Sequence, residues 1–269
     1  GDQSGSGMNM TNAAVGLPNS VAAVVNGLPV VRFVGTQTLQ SPTLGSRAPN
    51  GSDCTIIFVS RPSNAGESST FFVATPDDGA NRLNLHWPWS NGNMYWDYGD
   101  IGTVGRLAGA YSGGTTVFNA WTVRSQSGVG QKVFRNGVQE LSDGDGGTFN
   151  PAGKQFTISA PWSGDLAEIM VFNRALTLAE EQHVSASLMA KYGLAPRILG
   201  PTVTVSNSTV LAVGSVFTNY GLNTAMDAGQ TLTVTNTSEL WVSGQLSGAG
   251  ALGKAGSGTV ILPGVSTYT

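Results

Sequence analysis

The chain has 269 residues and a formal net charge of −3 at pH 7, with 13 Lys and Arg against 16 Asp and Glu. This length allows a large core, but the charge provides no basic stripe for a phosphate backbone, which excludes nucleic acid as an expected partner. The sequence has no apolar run near the roughly 18 residues that a membrane span requires. Charged residues are only 11% of the chain, whereas 37 residues are Gly.

Short β-branched and aromatic runs recur between residues 25 and 175, separated by clusters of Gly, Asn, Asp, Ser and Pro. This spacing predicts an antiparallel sandwich of the jelly-roll type. The runs are PVVRFV, CTIIFVS, STFFVAT, RLNLHW, NMYWDY, TVFNAWTVRS, QKVFRNG, KQFTIS and AEIMVFN. Asn136-Gly137 is the strongest local hairpin signal, because both residues tolerate the positive φ of a type I′ turn. Cys54 is the only cysteine, so the sequence has no intramolecular disulfide.

One surface helix is predicted in TLAEEQHVSASLMAKYGL, residues 177–194. Thr177 and Glu180 form a capping-box pattern, and Gly193 stands where a left-handed residue would end the helix. The predicted apolar stripe consists of Val184, Leu188 and Tyr192, with Leu178 nearby. His183 is expected to face solvent.

The composition changes after about residue 200, where charged residues nearly vanish. TVSNSTVLAV (204–213) and TVTNTSELWV (233–242) align with a 29-residue offset. Self-similarity at such a period predicts a β-solenoid, in which each coil buries its apolar face against its neighbours. Chance similarity between Thr- and Val-rich segments is the alternative. We predict two domains, a jelly roll over 1–196 and a solenoid segment over 197–269.

Residues 1–196 resemble the concanavalin A-like, laminin G-type jelly-roll family of bacterial surface and secreted proteins. The matching stretches are DQSGSGMNMT, NGLPVVRFVG, FRNGVQ and, above all, GDLAEIMVFNRALTLAEEQHVSASLMAKYGL at 164–194. LSGAGALGKAGSGTVILPGVSTYT at 246–269 is similar to the autotransporter-associated strand repeat. The resemblance implies an extracellular location. Both ends differ from the usual family pattern, so we expect an excerpt of a longer protein whose missing edge strand is supplied by a neighbouring segment or subunit.

Residues 85–100, LHWPWSNGNMYWDYGD, are the first candidate site. If 91–93 form a turn, two strands pair, with Met94, Trp96 and Tyr98 on one face and Tyr95 and Asp97 on the other. The candidate ligand-binding residues are Trp87, Trp89, Tyr95 and Asp97, because exposed aromatic faces stack on sugar rings. The competing interpretation is that the two Trp only cap the sandwich edge.

A Ca²⁺ site is the second candidate, since the resemblance implies a cation at one rim of the sandwich. Ca²⁺ requires six to eight oxygen ligands. The candidate ligands are Asp97, Asp100, Asp143, Asp145 and Asp165. Each also lies where turn chemistry alone favours Asp, so solvated turn aspartates are the alternative.

Catalysis is the least favoured function, because the sequence has no alternating acidic run that could place two carboxylates in one cleft. We therefore expect a non-catalytic extracellular module that binds a glycan or a surface protein. The alternative is a structural subunit of a cell-surface layer or filament that polymerises through its own β edges, and a glycan-active enzyme is third.

Overall fold

The computed structural model describes residues 2–12, 16–64, 70–102, 104–158, 161–194, 203–213, 218–220, 224–238, 240–242, 246–262 and 267–268. The chain divides into two compact units, one of Gly1–Arg135 and Gln139–Thr177, the other of Asn136–Val138 and Leu178–Thr269. The predicted domain boundary after residue 196 lies outside the described residues and stays a prediction.

Up to Thr177, the described residues form fourteen strands. They are β1 (Thr11–Asn12), β2 (Asn19–Val25), β3 (Leu28–Val34), β4 (Leu39–Thr43), β5 (Cys54–Pro62), β6 (Phe72–Thr75), β7 (Arg82–His86), β8 (Asn93–Gly99), β9 (Arg106–Ala110), β10 (Asn119–Gln126), β11 (Gly130–Arg135), β12 (Val138–Asp143), β13 (Gln155–Ile158) and β14 (Ser163–Phe172). Each of the nine predicted runs overlaps one of these strands. The sequence patterns missed β1, β2, β4, β9 and β12.

Two seven-stranded sheets form an antiparallel sandwich. The first sheet has the order β1-β4-β13-β6-β7-β8-β9, and the second has the order β12-β11-β10-β5-β14-β3-β2. Alternation along each strand fills the space between them: Cys54, Ile56 and Phe58 of β5 join one cluster with Met94 and Trp96 of β8. The predicted jelly-roll sandwich is confirmed.

Two Asn-Gly pairs make the tight hairpins of the second sheet. Asn136 and Gly137 have φ of 49° and 78°, as the predicted type I′ turn requires. Asn26 and Gly27 have φ of 46° and 72° and join β2 to β3 by the same geometry.

The helix α1 spans Leu178–Tyr192 in the second unit. Gly193 has φ of 60°, and the Leu194 N–H donates to the Met189 carbonyl at 2.9 Å, so the predicted left-handed cap is confirmed. Leu188 and Tyr192 are buried and His183 is exposed, whereas Leu178 is 53% exposed and does not belong to the buried stripe. The prediction that α1 lies on the sandwich stays a prediction.

Parallel pairing replaces antiparallel pairing after α1. The residues described after α1 form ten short strands: β15 (Val203–Val205), β16 (Thr209–Val213), β17 (Thr218–Tyr220), β18 (Thr224–Met226), β19 (Thr231–Asn236), β20 (Leu240–Val242), β21 (Leu246–Gly248), β22 (Ala251–Ala255), β23 (Val260–Ile261) and β24 (Thr267–Tyr268). They form three parallel sheets, β15-β18-β21-β24, β16-β19-β22 and β17-β20-β23, which we call the C-terminal ladder. Inward side chains from all three sheets, including Val205, Leu232 and Leu240, share one core.

The predicted 29-residue repeat is wrong. Val203 pairs with Thr224 and Leu240 pairs with Val260, so one passage through the three sheets takes 21 and 20 residues at these positions. Aligning the similar segments 204–213 and 233–242 places β15 on β19 and β16 on β20. In each of these pairs the two strands belong to different sheets. The two segments therefore resemble each other in residue type although they lie one sheet out of phase.

Close approach between neighbouring passages of the chain explains why the segment 248–258 is rich in glycine. A Cβ at Gly258 would meet the Ser238 carbonyl and Nδ2 of Asn236. Nδ2 of the buried Asn236 donates to the Thr259 carbonyl at 2.9 Å, and the Gly258 N–H donates to the Asn236 carbonyl at 2.9 Å. Glycine therefore lets successive passages of the chain approach closely at this corner.

Candidate functional site

The pairing of β7 with β8 places a polar cluster on the outer face of the first sheet. His86 pairs with Tyr95 and Asn84 with Asp97, and the predicted division of faces is confirmed, since Met94, Trp96 and Tyr98 point into the core. Asp97 in turn pairs with Arg106 of β9. The first-sheet cluster, as we call it, consists of Asp77, Arg82, His86, Trp89, Tyr95, Asp97 and Arg106.

Asp97 is the centre of this cluster, and its side chain has no exposed surface. Arg106 binds it with two parallel bonds, Nε to Oδ1 and Nη2 to Oδ2, both at 2.6 Å. The hydrogen bond to Asp97 raises the pKa of Arg106 against the opposing effect of burial. Arg82 Nε lies 3.3 Å from Oδ2. The buried carboxylate is therefore hydrogen-bonded by Arg106 and lies within ion-pair distance of Arg82, whose Nε has no hydrogen-bond partner within the described residues.

A second carboxylate and an imidazole complete the charge network. Arg82 Nη2 lies 3.2 Å from Asp77 Oδ2 and 3.4 Å from His86 Nε2. Because a guanidinium can only donate, Nε2 of His86 is the acceptor in this contact, and the other ring nitrogen, Nδ1, lies 3.2 Å from Thr70 Oγ1. Two cations and two carboxylates therefore balance in this cluster.

Half-buried aromatic rings line the end of the cluster. The Trp89 ring packs 4.4 Å from the His86 ring, and Tyr95 lies 5.9 Å from it. Arg106 Cζ stands 4.8 Å above the Tyr95 ring. Asn91 Nδ2 donates to the Tyr95 hydroxyl at 2.7 Å, and this bond lowers the pKa of Tyr95. Both rings keep part of their surface accessible to a ligand.

Trp87 does not belong to an exposed platform, and that prediction is wrong. It is 1% exposed and packs against Phe58 at 5.5 Å and Trp121 at 4.9 Å, both edge to face. Leu83 and Leu85 already point inward on β7, so continued alternation places Trp87 in the core as well. Trp162 Nε1 donates to the Trp87 carbonyl at 2.9 Å, which joins the two Pro-Trp segments.

Further polar side chains lie on the first sheet, on the side away from Trp89 and Tyr95. Thr75 and Thr157 share a hydrogen bond of 2.7 Å between their hydroxyls, and Gln40 Nε2 donates to Thr75 Oγ1 at 3.2 Å. Between them and Asp97 lies Asn84, whose buried Oδ1 has no hydrogen-bond partner among the residues that the structure describes. This face therefore presents amides and hydroxyls beside aromatic rings.

The five predicted Ca²⁺ ligands do not come together. Asp97 is enclosed by arginines, and Asp165 binds Arg32 and Arg61 at 2.6 and 2.5 Å. Of the remaining three, Asp143 ends β12, and Asp100 and Asp145 lie in the loops that follow β8 and β12. Asp100 Oδ1 accepts the Gly102 N–H at 2.6 Å, and Asp143 Oδ1 accepts the Asp145 N–H at 3.1 Å. Across the ranges that the structure describes, no group of three His, Cys, Asp or Glu could hold a metal ion.

Sequence reasoning missed Arg82, His86 and Arg106 as members of the site. The available signal was the alternation in RLNLH, which puts Arg82 and His86 opposite to Leu83 and Leu85. Arg106 gave no signal, because its contact with Asp97 depends on the pairing of β8 with β9. A rigid, charge-balanced face with two accessible aromatic rings can recognise a polar, uncharged ligand that carries an apolar face.

The fold and this face define an antiparallel jelly-roll module with a polar and aromatic outer surface. The model of the Concanavalin A-like lectin/glucanases superfamily matches residues 34–180. The chain belongs to this superfamily, in its laminin G-like form. No curated protein matches the chain significantly.

Solved structures with the same fold are distant in sequence. Domain 4 of AbnA, an extracellular GH43 arabinanase from Geobacillus stearothermophilus solved with arabinotriose, is 16% identical with a TM-score of 0.52, over 66% of this chain and 87% of that domain. The botulinum neurotoxin serotype G binding domain is 10% identical with a TM-score of 0.54, over 72% of this chain and 51% of that one.

The binding domain of Paraclostridial Mosquitocidal Protein 1 is 13% identical with a TM-score of 0.53, over 74% of this chain and 53% of that one. The chain thus spans about half the length of the toxin domains that it matches. Within the described part of the chain, none of the helical structure has the length and apolarity to cross a membrane.

Proposed function

We propose that this chain is a non-catalytic, extracellular binding module that holds a neutral glycan on the outer face of the first sheet. The observation that carries the proposal is the pair of half-buried rings, Trp89 and Tyr95, beside two arginines that the buried Asp97 holds in place. The apolar face of a sugar ring stacks on an aromatic ring, and its hydroxyls pair with ordered polar groups.

Charge balance supports a neutral ligand. Asp97 and Asp77 offset Arg82 and Arg106, so an anionic or cationic ligand gains no net attraction from the cluster. Charge balance also supports a non-catalytic role, because both carboxylates are ion-paired and Asp97 has no exposed surface from which to act on a substrate. The sugar-bound arabinanase domain adds to this expectation, since it shares the fold.

For the C-terminal ladder we propose a β-solenoid of the autotransporter-repeat type, serving as a stalk for the binding module in an adhesive surface protein. Support comes from three parallel sheets that share one core. Each passage of the chain buries its apolar side chains against the next, as a stacked repeat requires.

The test is calorimetric titration of the full chain with neutral oligosaccharides, including arabinotriose. We expect Trp89→Ala and Tyr95→Ala to weaken binding about tenfold each, because one stacking contact contributes roughly 1 kcal/mol or more. Trp89→Phe keeps a ring and should bind nearly as the parent chain does. Val129→Ala, which removes exposed apolar surface in the turn between β10 and β11, is the matched control.

Two results would contradict the proposal. One is a panel in which no neutral oligosaccharide binds. The other is binding that Trp89→Ala and Tyr95→Ala leave unchanged while both variants remain folded. Growth of long assemblies without added glycan, detected by light scattering, would favour the structural-subunit alternative instead.

A further inference from the structure

A second row of interacting side chains crosses the second sheet. Asp165 of β14 pairs with Arg32 of β3 on one side and with Arg61 of β5 on the other. Asn19 of β2 stands opposite Arg32, and the Phe118 ring lies 4.7 Å from Cζ of Arg61. We call these five residues the Asp165 row. They come from five neighbouring strands or strand ends, and the antiparallel register fixes their order.

Asp165 is already fully paired by its two neighbours. Arg32 binds it through Nε at 2.6 Å and Nη2 at 3.0 Å, and Arg61 Nη2 binds Oδ2 at 2.5 Å. The Asp165 side chain is only 5% exposed. Burial opposes its ionisation, but the hydrogen bonds from both arginines outweigh burial and hold the pKa below its usual value. The carboxylate thus stays ionised and fixes both guanidiniums in place.

Both arginines retain unused donors. Within the described residues, Nη1 of Arg32 has no protein acceptor, nor have Nε and Nη1 of Arg61. The two side chains are 40% and 29% exposed. A guanidinium that is ordered by one bond and still carries free N–H groups at the surface is prepared to bind a second anion.

The charge of the row is unbalanced, unlike that of the first-sheet cluster. Two arginines face one carboxylate, which leaves one positive charge on a chain whose net charge is −3. Glu168, further along β14, stands opposite Val59, and neither Arg32 nor Arg61 bonds it. A single negative charge from a ligand would complete an alternating ring of two cations and two anions.

The surroundings of the row favour a sugar as the carrier of that charge. Val34 is 56% exposed on the same face, two residues after Arg32, and Phe118 is half-buried. Asn19 is exposed and offers an amide for hydroxyl groups. Apolar surface and an amide beside two guanidiniums match the C–H face, the hydroxyls and the acidic group of an acidic saccharide.

We propose that the Asp165 row is a second binding site, which takes the carboxylate or sulfate group of an acidic saccharide between Arg32 and Arg61. The site lies on the other sheet from the neutral-glycan site and does not depend on it. Failure of either site would leave the other untouched.

The experiment is calorimetric titration of the full chain at low salt with three saccharides: trigalacturonate, its neutral methyl ester and a sulfated galactose trisaccharide. We expect both acidic saccharides to bind and the ester not to bind. Arg61→Gln should weaken that binding about tenfold or more, because a charge-assisted hydrogen bond is lost. Arg61→Lys should recover only part of it, since Lys lacks the planar fork.

Arg47→Gln is the matched control, since Arg47 is an exposed arginine of the same unit that lies outside the row. Tighter binding of the sulfated or of the carboxylated saccharide would identify which acidic group fills the site. An equal loss in Arg61→Gln and Arg47→Gln would show unspecific attraction and overturn the proposal. Absence of binding by both acidic saccharides, or binding of a poly-Glu peptide alone, would also overturn it. Arg32→Gln repeats the test if Arg61→Gln fails to fold.

Discussion

The two sheets of the sandwich each hold one aspartate between two arginines from neighbouring strands, yet the surroundings of the two differ. Around Asp97, a second carboxylate and a histidine engage Arg82, and the central side chain has no exposed surface. Around Asp165, one carboxylate faces two arginines that are 40% and 29% exposed. The surroundings of such an arginine–aspartate cluster therefore decide its net charge. A balanced cluster suits a neutral ligand, whereas a cluster with one excess positive charge suits an anionic ligand.

The largest expected effect comes from removing the buried charge of the first sheet. Asp97→Asn leaves two guanidiniums without their carboxylate, and we expect it to lower the free energy of unfolding by about 3–5 kcal/mol. Urea unfolding followed by tryptophan fluorescence measures the change. Asp145→Asn makes the same chemical change at an exposed aspartate and should cost less than about 0.5 kcal/mol. Similar losses of unfolding free energy for Asp97→Asn and Asp145→Asn would contradict the view that burial of Asp97 makes its ion pairs important for stability.

The equivalent change in the second sheet should cost less. Asp165→Asn should lower the free energy of unfolding by about 1–3 kcal/mol, because its arginines reach water and can be solvated once the carboxylate is neutral. The same urea experiment checks this value. A loss as large as that of Asp97→Asn would mean that exposure does not distinguish the two clusters.

Lowering the pH should show directly how much Asp165 contributes to the free energy of unfolding. The folded pKa of Asp165 lies below its unfolded value of about 3.9, so its stabilising effect is complete above that value and disappears as pH falls through the folded pKa. The stability difference between the parent chain and Asp165→Asn should therefore be constant from pH 7 to about pH 5 and shrink below about pH 4. A difference that persists unchanged at pH 3 would contradict the assignment.

The smallest effect is expected for the outer carboxylate of the first-sheet cluster. Asp77 is 39% exposed and touches the same Arg82 as the buried Asp97. An exposed ion pair contributes only about 0–1 kcal/mol, so Asp77→Asn should change the free energy of unfolding by no more than that. A larger loss in urea unfolding would indicate that Asp77 is part of the buried network rather than its rim.

The sequence predicts local features well and long-range contacts poorly. The hairpin at Asn136-Gly137, the cap at Gly193 and the core face of Met94, Trp96 and Tyr98 all follow from residues close in the chain. The two Asp-centred clusters depend on register between strands up to 133 residues apart, which alternation alone does not fix.

Two errors have specific causes. The sequence interpretation places Trp87 with Trp89 and Tyr95 on a surface that stacks on sugar rings, although the alternation from Leu83 and Leu85 already directs Trp87 inward. The 29-residue repeat rests on the similarity of Thr- and Val-rich segments that lie in different sheets, whereas strand pairing recurs after 20 to 23 residues.

Amide hydrogen exchange of the full chain, with a neutral and with an acidic oligosaccharide in parallel, tests the division between the two faces most directly. The neutral sugar should protect amides of β7, β8 and β9, and the acidic sugar should protect those of β3, β5 and β14. Protection of the same strands by both sugars would contradict the account, because one face would then bind regardless of charge.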